Sequence, residues 1–116
     1  MTILRPISAI FLIIISVYTV IAISNDGFDL ITPFVGDILA LSWSGQFNLD
    51  FMMYLILSAL WVAWRHDFSG AGVALAAVAS VGGMLFFAVY LLVQIGRAEG
   101  DIERLLLGHR RAAARQ

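Results

Sequence analysis

Three long apolar runs, separated by polar turns, most constrain what this chain can fold into. The second run, residues 47–64, reads FNLDFMMYLILSALWVAW. At about 1.5 Å per residue, a helix of this length just crosses a hydrocarbon layer of about 30 Å. The chain is 61% apolar, whereas soluble domains are typically about 45–50% apolar. So short a chain cannot bury that excess, which indicates an integral membrane protein.

We therefore predict an all-α membrane protein with three transmembrane helices. The spans cover about residues 3–23, 47–64 and 72–95, and they form one domain over residues 1–96. Residues 97–116 form an amphipathic, basic tail, because apolar residues recur there three and four apart. In the first loop, Thr32 as N-cap followed by Pro33 predicts a short helix that ends near Ser42 and lies at the membrane interface.

The second and third spans each carry a distinctive face. On the second span the polar residues fall within one arc, and they are Asp50, Tyr54, Ser58, Trp61 and Arg65. On the third span one face is made of small residues and continues as two polar ones, and it comprises Gly72, Ala76, Ala79, Ser80, Gly83, Tyr90 and Gln94. Small residues let helices approach closely in a membrane, so we expect these faces to pack as an antiparallel hairpin with Asp50 near the Tyr90–Gln94 end.

Asp50 is the one ionisable residue within reach of the hydrocarbon. An intramembrane carboxylate is costly and is a functional candidate by default. The structural alternative is a charge near a helix N-terminus, which the helix dipole favours. A partner contact or a place in an ion pathway are the functional alternatives.

Aromatic and basic residues at the span ends predict contacts with lipid or a partner. They are Trp43, Trp61, Trp64, Arg65, Arg110 and Arg111. Tryptophan is typical of the headgroup level, and arginine extends its charge there from an apolar stem.

Little in the sequence predicts chemistry. The chain has no Cys, and His66 and His109 lie outside the spans, so no imidazole ligand for haem or chlorophyll is expected inside the bilayer. We predict no metal site, no cofactor and no enzyme, because no acid, base and nucleophile set is recognisable. Bound lipid or pigment at the apolar faces stays open. The net charge of −1 predicts no nucleic-acid surface.

Orientation rests on opposing signals. Three spans place the two ends on opposite sides of the membrane. The tail holds five of the seven arginines and favours a cytoplasmic C-terminus, whereas Arg5 before the first helix favours a cytoplasmic N-terminus. We predict an uncleaved N-terminal anchor and the N-terminus inside, in a bacterial inner membrane, either cytoplasmic or photosynthetic.

A family resemblance rests on three short motifs: NDGFDL at residues 25–30, FNLD at 47–50 with Ser58 eight residues on, and Gly82-Gly83 followed by LFFAVYLL. Together they resemble an uncharacterised three-span bacterial membrane family, domain of unknown function 2834. The resemblance covers about residues 7–98 and implies an acidic residue opening the second span and a glycine-containing third. The turn at 65–70 is less basic than in that family, and the tail after Gly100 is an addition. It implies architecture and no activity.

Two functions follow from these patterns. The first is a small accessory subunit that packs through its helices against other integral membrane subunits, in a photosynthetic or respiratory complex. The alternative is an oligomeric transporter or channel in which the stripe of Asp50, Tyr54 and Ser58 faces a pore.

Overall fold

The computed structural model describes residues 2–115, and that range is helical with no strand. Its helices are α1 (Leu4–Asp26), α2 (Ile31–Leu39), α3 (Trp43–Arg65), α4 (Gly70–Ala98), α5 (Ile102–Leu107) and α6 (His109–Ala114). The predicted domain ranges also include Met1 and Gln116, which lie outside the described residues. The all-α class is confirmed.

Three of these helices, α1, α3 and α4, are long and apolar enough to cross a membrane. Each is longer than the predicted span, and a serine caps the start of both α3 and α4. Ser42 caps α3 by accepting a hydrogen bond from the backbone N–H of Gly45 at 3.2 Å, and Ser69 caps α4 in the same way at 3.1 Å from Gly72. By length and composition, the prediction of three long apolar helices is confirmed.

The third of these helices is broken at Gly83 and folds back on itself. Gly83 has φ +56° and ψ −143°, which is not helical. Val62 of α3 packs in one cluster with both Ala79 and Tyr90. These two residues would be about 16 Å apart along a continuous helix. Residues 70–82 and 84–98 therefore run in opposite directions, and we call them α4a and α4b.

The fold-back places both ends of α4 at the end of the molecule where α3 finishes. Near the start of α1, Leu4 packs against Ile95, Ala98 and Leu105. The beginning of α1, the α3–α4 turn and the tail consequently share one end of the molecule. This arrangement differs from the expected three crossings, which would place the chain ends on opposite sides.

The first loop contains the expected short helix, but its start signal is different. Asp29 accepts hydrogen bonds from the Thr32 backbone N–H at 3.1 Å and from the Thr32 hydroxyl at 2.6 Å. The same hydrogen bonds lower the pKa of the Asp29 carboxyl. Thr32 is thus not the N-cap, and α2 begins at Ile31 and ends at Leu39.

α2 packs against the first turns of α3 because Gly45 allows the backbones to meet. A Cβ at Gly45 would lie 2.1 Å from the carbonyl oxygen of Asp37. Asn48 adds a hydrogen bond from its side-chain amide to the Phe34 carbonyl at 3.2 Å. This contact holds the α2 segment at the end of the molecule opposite the α3–α4 turn.

Candidate functional site

Arg65, the last residue of α3, is buried inside a network of neutral acceptors. Its side chain is only 3% exposed. One terminal nitrogen donates to the Tyr90 hydroxyl at 3.2 Å and to Gln94 Oε1 at 3.1 Å. The other donates to the backbone carbonyl of Arg104 at 2.9 Å, and Nε donates to the carbonyl of Leu105. The guanidinium thus ties α3 to α4b and to the tail.

Within residues 2–115, no carboxylate forms an ion pair with Arg65. A buried charge without a counter-ion is expensive, and its hydrogen bonds offset only part of that cost. The carbonyl oxygens of Arg104 and Leu105 belong to α5 and accept from Arg65, and the Arg104 carbonyl also accepts from the backbone N–H of Gly108 at 3.0 Å. This end of the molecule therefore keeps a fixed positive charge.

The tail closes over this network. Asp101 caps α5 by accepting from the N–H groups of Glu103 and Arg104 at 2.9 and 3.4 Å. The indole N–H of Trp61 donates to the Leu106 carbonyl at 3.1 Å. Gly108 separates α5 from α6 at φ +87°, and a Cβ there would lie 2.2 Å from the carbonyl oxygen of Arg65. The predicted amphipathic tail thus contains two short helices, and both dock on the rest of the chain.

α6 is held by Arg111. Its guanidinium carbon lies 4.1 Å from the centroid of the Trp64 ring, and it donates to the Trp64 carbonyl. The same side chain pairs with Asp67 at 3.0 Å, while Arg110 approaches Asp67 at 3.8 Å. One carboxylate therefore faces two arginines.

His66 extends the network beyond Arg65. Its Nε2 lies 2.8 Å from the Tyr90 hydroxyl, which also accepts from Arg65. The arrangement fits a neutral imidazole whose Nε2 accepts a hydrogen bond from the Tyr90 hydroxyl. Burial lowers the pKa of His66, and the charges of Arg65 and Arg97 lower it further, against an opposing effect of Asp67.

A polar cavity of about 240 Å³ opens beside this network. The side chains that line it come from the α3–α4 turn, the end of α4b and α6, and they are Arg65, His66, Asp67, Gln94, Arg97, His109 and Arg110. The lining holds three arginines against one carboxylate, so the cavity favours an anion.

The stripe of Asp50, Tyr54 and Ser58 lies elsewhere. Asp50 is exposed and Tyr54 is 69% exposed, whereas Ser58 is half-buried and donates to the carbonyl of Leu55 at 2.8 Å. Tyr54 and Ser58 line an open, almost wholly apolar groove of about 540 Å³ between α3 and the Gly83 break. The expected approach of Asp50 to the Tyr90–Gln94 end is wrong, because α4 turns back at Gly83 and Arg65 takes that place.

The small-residue face of α4 is divided by the break. Gly72 and Ala79 are buried, and Ala76, Ser80 and Gly83 are half-buried. Gly72 faces His66, and Gly83 faces Phe51. Ser80 returns its hydroxyl to the Ala77 carbonyl at 2.7 Å.

The residues expected to contact lipid or a partner divide into two groups. Trp43 is 78% exposed and Trp64 is 37% exposed, whereas Trp61 is half-buried. Arg65 is buried within the chain instead of reaching outward. The sequence pattern predicts its charge at headgroup level. Its burial could not be predicted, because its acceptors come from distant segments that no local sequence signal marks.

The fold and the network define a helical protein with membrane-length apolar helices and a cationic, tail-covered end. Within the described part of the chain, no group of three or more His, Asp or Glu side chains could hold a metal ion. Comparison with models of known families, with curated proteins and with solved structures gives no match. The resemblance to domain of unknown function 2834 stays a prediction.

Proposed function

We propose that the protein is a small accessory subunit that binds a larger integral membrane complex through the exposed face of α3. The observation that supports it most is the position of Asp50. α3 begins at Trp43, so Asp50 lies about 10 Å inside the helix. The effect of a helix dipole falls off within the first turn, so a favourable N-terminal charge no longer accounts for this carboxylate.

An exposed carboxylate against lipid is unfavourable, by about 3 kcal/mol at the centre of a spanning helix and by less towards its ends. The exposed Tyr54 lies one turn further along the same face. A partner helix that donates hydrogen bonds to both groups relieves that cost, since polar side chains join helices within membranes. The large apolar surfaces of α1 and α3 supply the rest of such an interface, and a bacterial photosynthetic or respiratory complex is the proposed host.

The test is purification of the tagged protein from its native membranes in a mild detergent. We expect wild type to migrate with a larger complex and Asp50→Ala to lose it. The matched control is Ile56→Ala, a change of a 51% exposed side chain on the other side of α3, which should retain the complex. Migration of the wild type as a lone small particle contradicts the proposal.

The same exposed stripe supports the alternative of an oligomeric channel or transporter with Asp50 facing a pore. Liposome flux of the purified protein separates the two. A flux that falls in Asp50→Asn and not in Ile56→Ala favours the channel. If liposomes with the protein show no more flux than empty liposomes, the channel is excluded and the accessory role is favoured.

We further propose that both chain ends lie in the cytoplasm. Because α4 folds back, Arg5, Arg65 and the five tail arginines share one end of the molecule, while Asp26, Asp29 and Asp37 follow α1 towards the other. The two arginine signals that opposed each other in the sequence now agree, and arginine is enriched on the cytoplasmic side. Fusions of green fluorescent protein to either terminus should fluoresce, and alkaline phosphatase fusions should be inactive. An active phosphatase at one terminus contradicts this orientation.

A further inference from the structure

We propose that the cavity beside Arg65 binds the phosphate of an anionic lipid headgroup. The site is distinct from the α3 stripe and does not depend on the accessory role. It lies where α3, α4b and the tail meet, at the end of the apolar helices.

The charge of the cavity selects the ligand class. Arg65, Arg97 and Arg110 line it, and Asp67 is the single carboxylate. Asp67 is itself shared between Arg111, at 3.0 Å, and Arg110, at 3.8 Å. Arg97 makes no ion pair with any residue in 2–115. An oxyanion placed here meets a positive charge that the chain does not neutralise. Arg97 and Arg110 supply the donors, because Arg65 already donates to four acceptors of the chain and contributes only its charge. Arginine suits phosphate because it offers several donors in a fork.

The lowered pKa of His66 is consistent with an excess of positive charge around the cavity. The charges of Arg65, Arg97 and His109 all disfavour its protonated form and lower its pKa, and Asp67 only partly opposes them. Its ring nitrogen Nε2 is engaged by Tyr90, so the imidazole supports the cavity wall.

The volume is sufficient for a headgroup phosphate. The cavity of about 240 Å³ exceeds the roughly 150 Å³ of an engineered protein cavity that holds benzene. Arg110 is 84% exposed at its side chain, so the cavity is open to entry from the surface.

The surface beneath the cavity favours a lipid over a free anion. Val89, Val93 and Arg97 are spaced four apart and lie on one face of α4b. Val89 and Val93 are 45% and 50% exposed. An acyl chain that lies along the two valines therefore brings its headgroup to Arg97, since the basic residue follows the apolar face by one turn. Basic pockets at helix ends on the cytoplasmic side commonly recognise anionic headgroups.

The test is native mass spectrometry of the full-length protein in mild detergent with added phosphatidylglycerol or phosphatidylcholine. We expect phosphatidylglycerol to bind more tightly than phosphatidylcholine. The double variant Arg97→Gln, Arg110→Gln should weaken the binding of phosphatidylglycerol by roughly fivefold per arginine. The control double variant Arg5→Gln, Arg115→Gln removes the same charge outside the cavity and should bind like wild type.

Thermal unfolding of each variant shows whether it retains the fold, and Arg97→Gln alone serves if the double variant does not. Equal binding of the two lipids overturns the proposal, as does an equal loss in both double variants. Millimolar inorganic phosphate should fail to displace the lipid. Displacement by phosphate assigns the cavity to the free anion and overturns the lipid assignment.

Discussion

Arg65 shows how a single side chain can join segments that are far apart in sequence. It reaches α4b through Tyr90 and Gln94, and it reaches the tail through two backbone carbonyls. Five N–H donors in a planar fork allow one residue to satisfy all four acceptors, which the ammonium of a lysine cannot do. The residue therefore stabilises the tail-covered end as a unit.

Replacing Arg65 with Ala should destabilise the protein by about 3 kcal/mol, because the buried acceptors lose their donors and a cavity remains. Denaturant unfolding in detergent, followed by tryptophan fluorescence, measures this loss. The exposed Arg115→Ala serves as control and should change stability by no more than about 0.5 kcal/mol. Equal effects of the two variants would show that the network contributes nothing.

We also expect the protein to become less stable as the pH is lowered, because of His66. The pKa of His66 in the folded protein is lowered from 6.5, so the unfolded chain binds the proton more readily. Its contribution is complete above about pH 6.5 and is lost as the pH falls below that value towards the folded pKa. Thermal unfolding at pH 7.5 and at about pH 5.5 should show a larger drop for wild type than for His66→Gln. The same drop in both proteins would assign the effect to other groups.

At the scale of elements, Gly83 decides the shape of α4. Its positive φ suits a residue without a Cβ, and a Cβ there would lie 3.0 Å from the Phe51 ring. The small-residue pattern of the sequence predicts a close helix crossing here. The structure gives Gly83 a second role, because it is the point where the backbone reverses.

Gly83→Ala should therefore cost about 1–3 kcal/mol, from backbone strain and the contact with Phe51. The matched control is Gly96→Ala in α4b, where an added Cβ meets nothing within 4 Å. It should be neutral or stabilising by up to about 1 kcal/mol through helix propensity. Thermal unfolding in detergent ranks the two variants, and a milder effect at Gly83 would contradict the fold-back.

Gly83→Leu should likewise be worse than Leu85→Ala, since Leu85 is already 38% exposed and its truncation creates little cavity. The same unfolding measurement applies. The reverse ranking would show that the α3–α4 groove can admit a large side chain at residue 83.

At the scale of the whole molecule, the fold-back changes which residues share a side. Ala71 precedes the break and Glu103 follows it, and both are exposed. Because the chain has no Cys, single substitutions Ala71→Cys and Glu103→Cys can be labelled in membrane vesicles with an impermeant maleimide. Both should react from the same side, and Phe28→Cys, beyond α1, should react from the other. Labelling of residues 71 and 103 from opposite sides would restore three full crossings.

The helical class and the three long apolar helices could be predicted from the sequence alone. These depend on local composition and period, which neighbouring residues carry. Local side-chain hydrogen bonds moved the helix starts by a few positions, from Ser42 at α3 and from Asp29 to Thr32 at α2.

The reversal at Gly83, the burial of Arg65 and the docking of the tail could not be predicted from the sequence. Each depends on contacts between residues far apart in the chain, such as Arg65 with Leu105. A glycine in an apolar helix is typical of close packing and of a break alike, and an arginine at a span end is typical of the headgroup region. Hydrophobic period cannot separate these alternatives, because only the packed partners supply the acceptors that make a buried guanidinium stable.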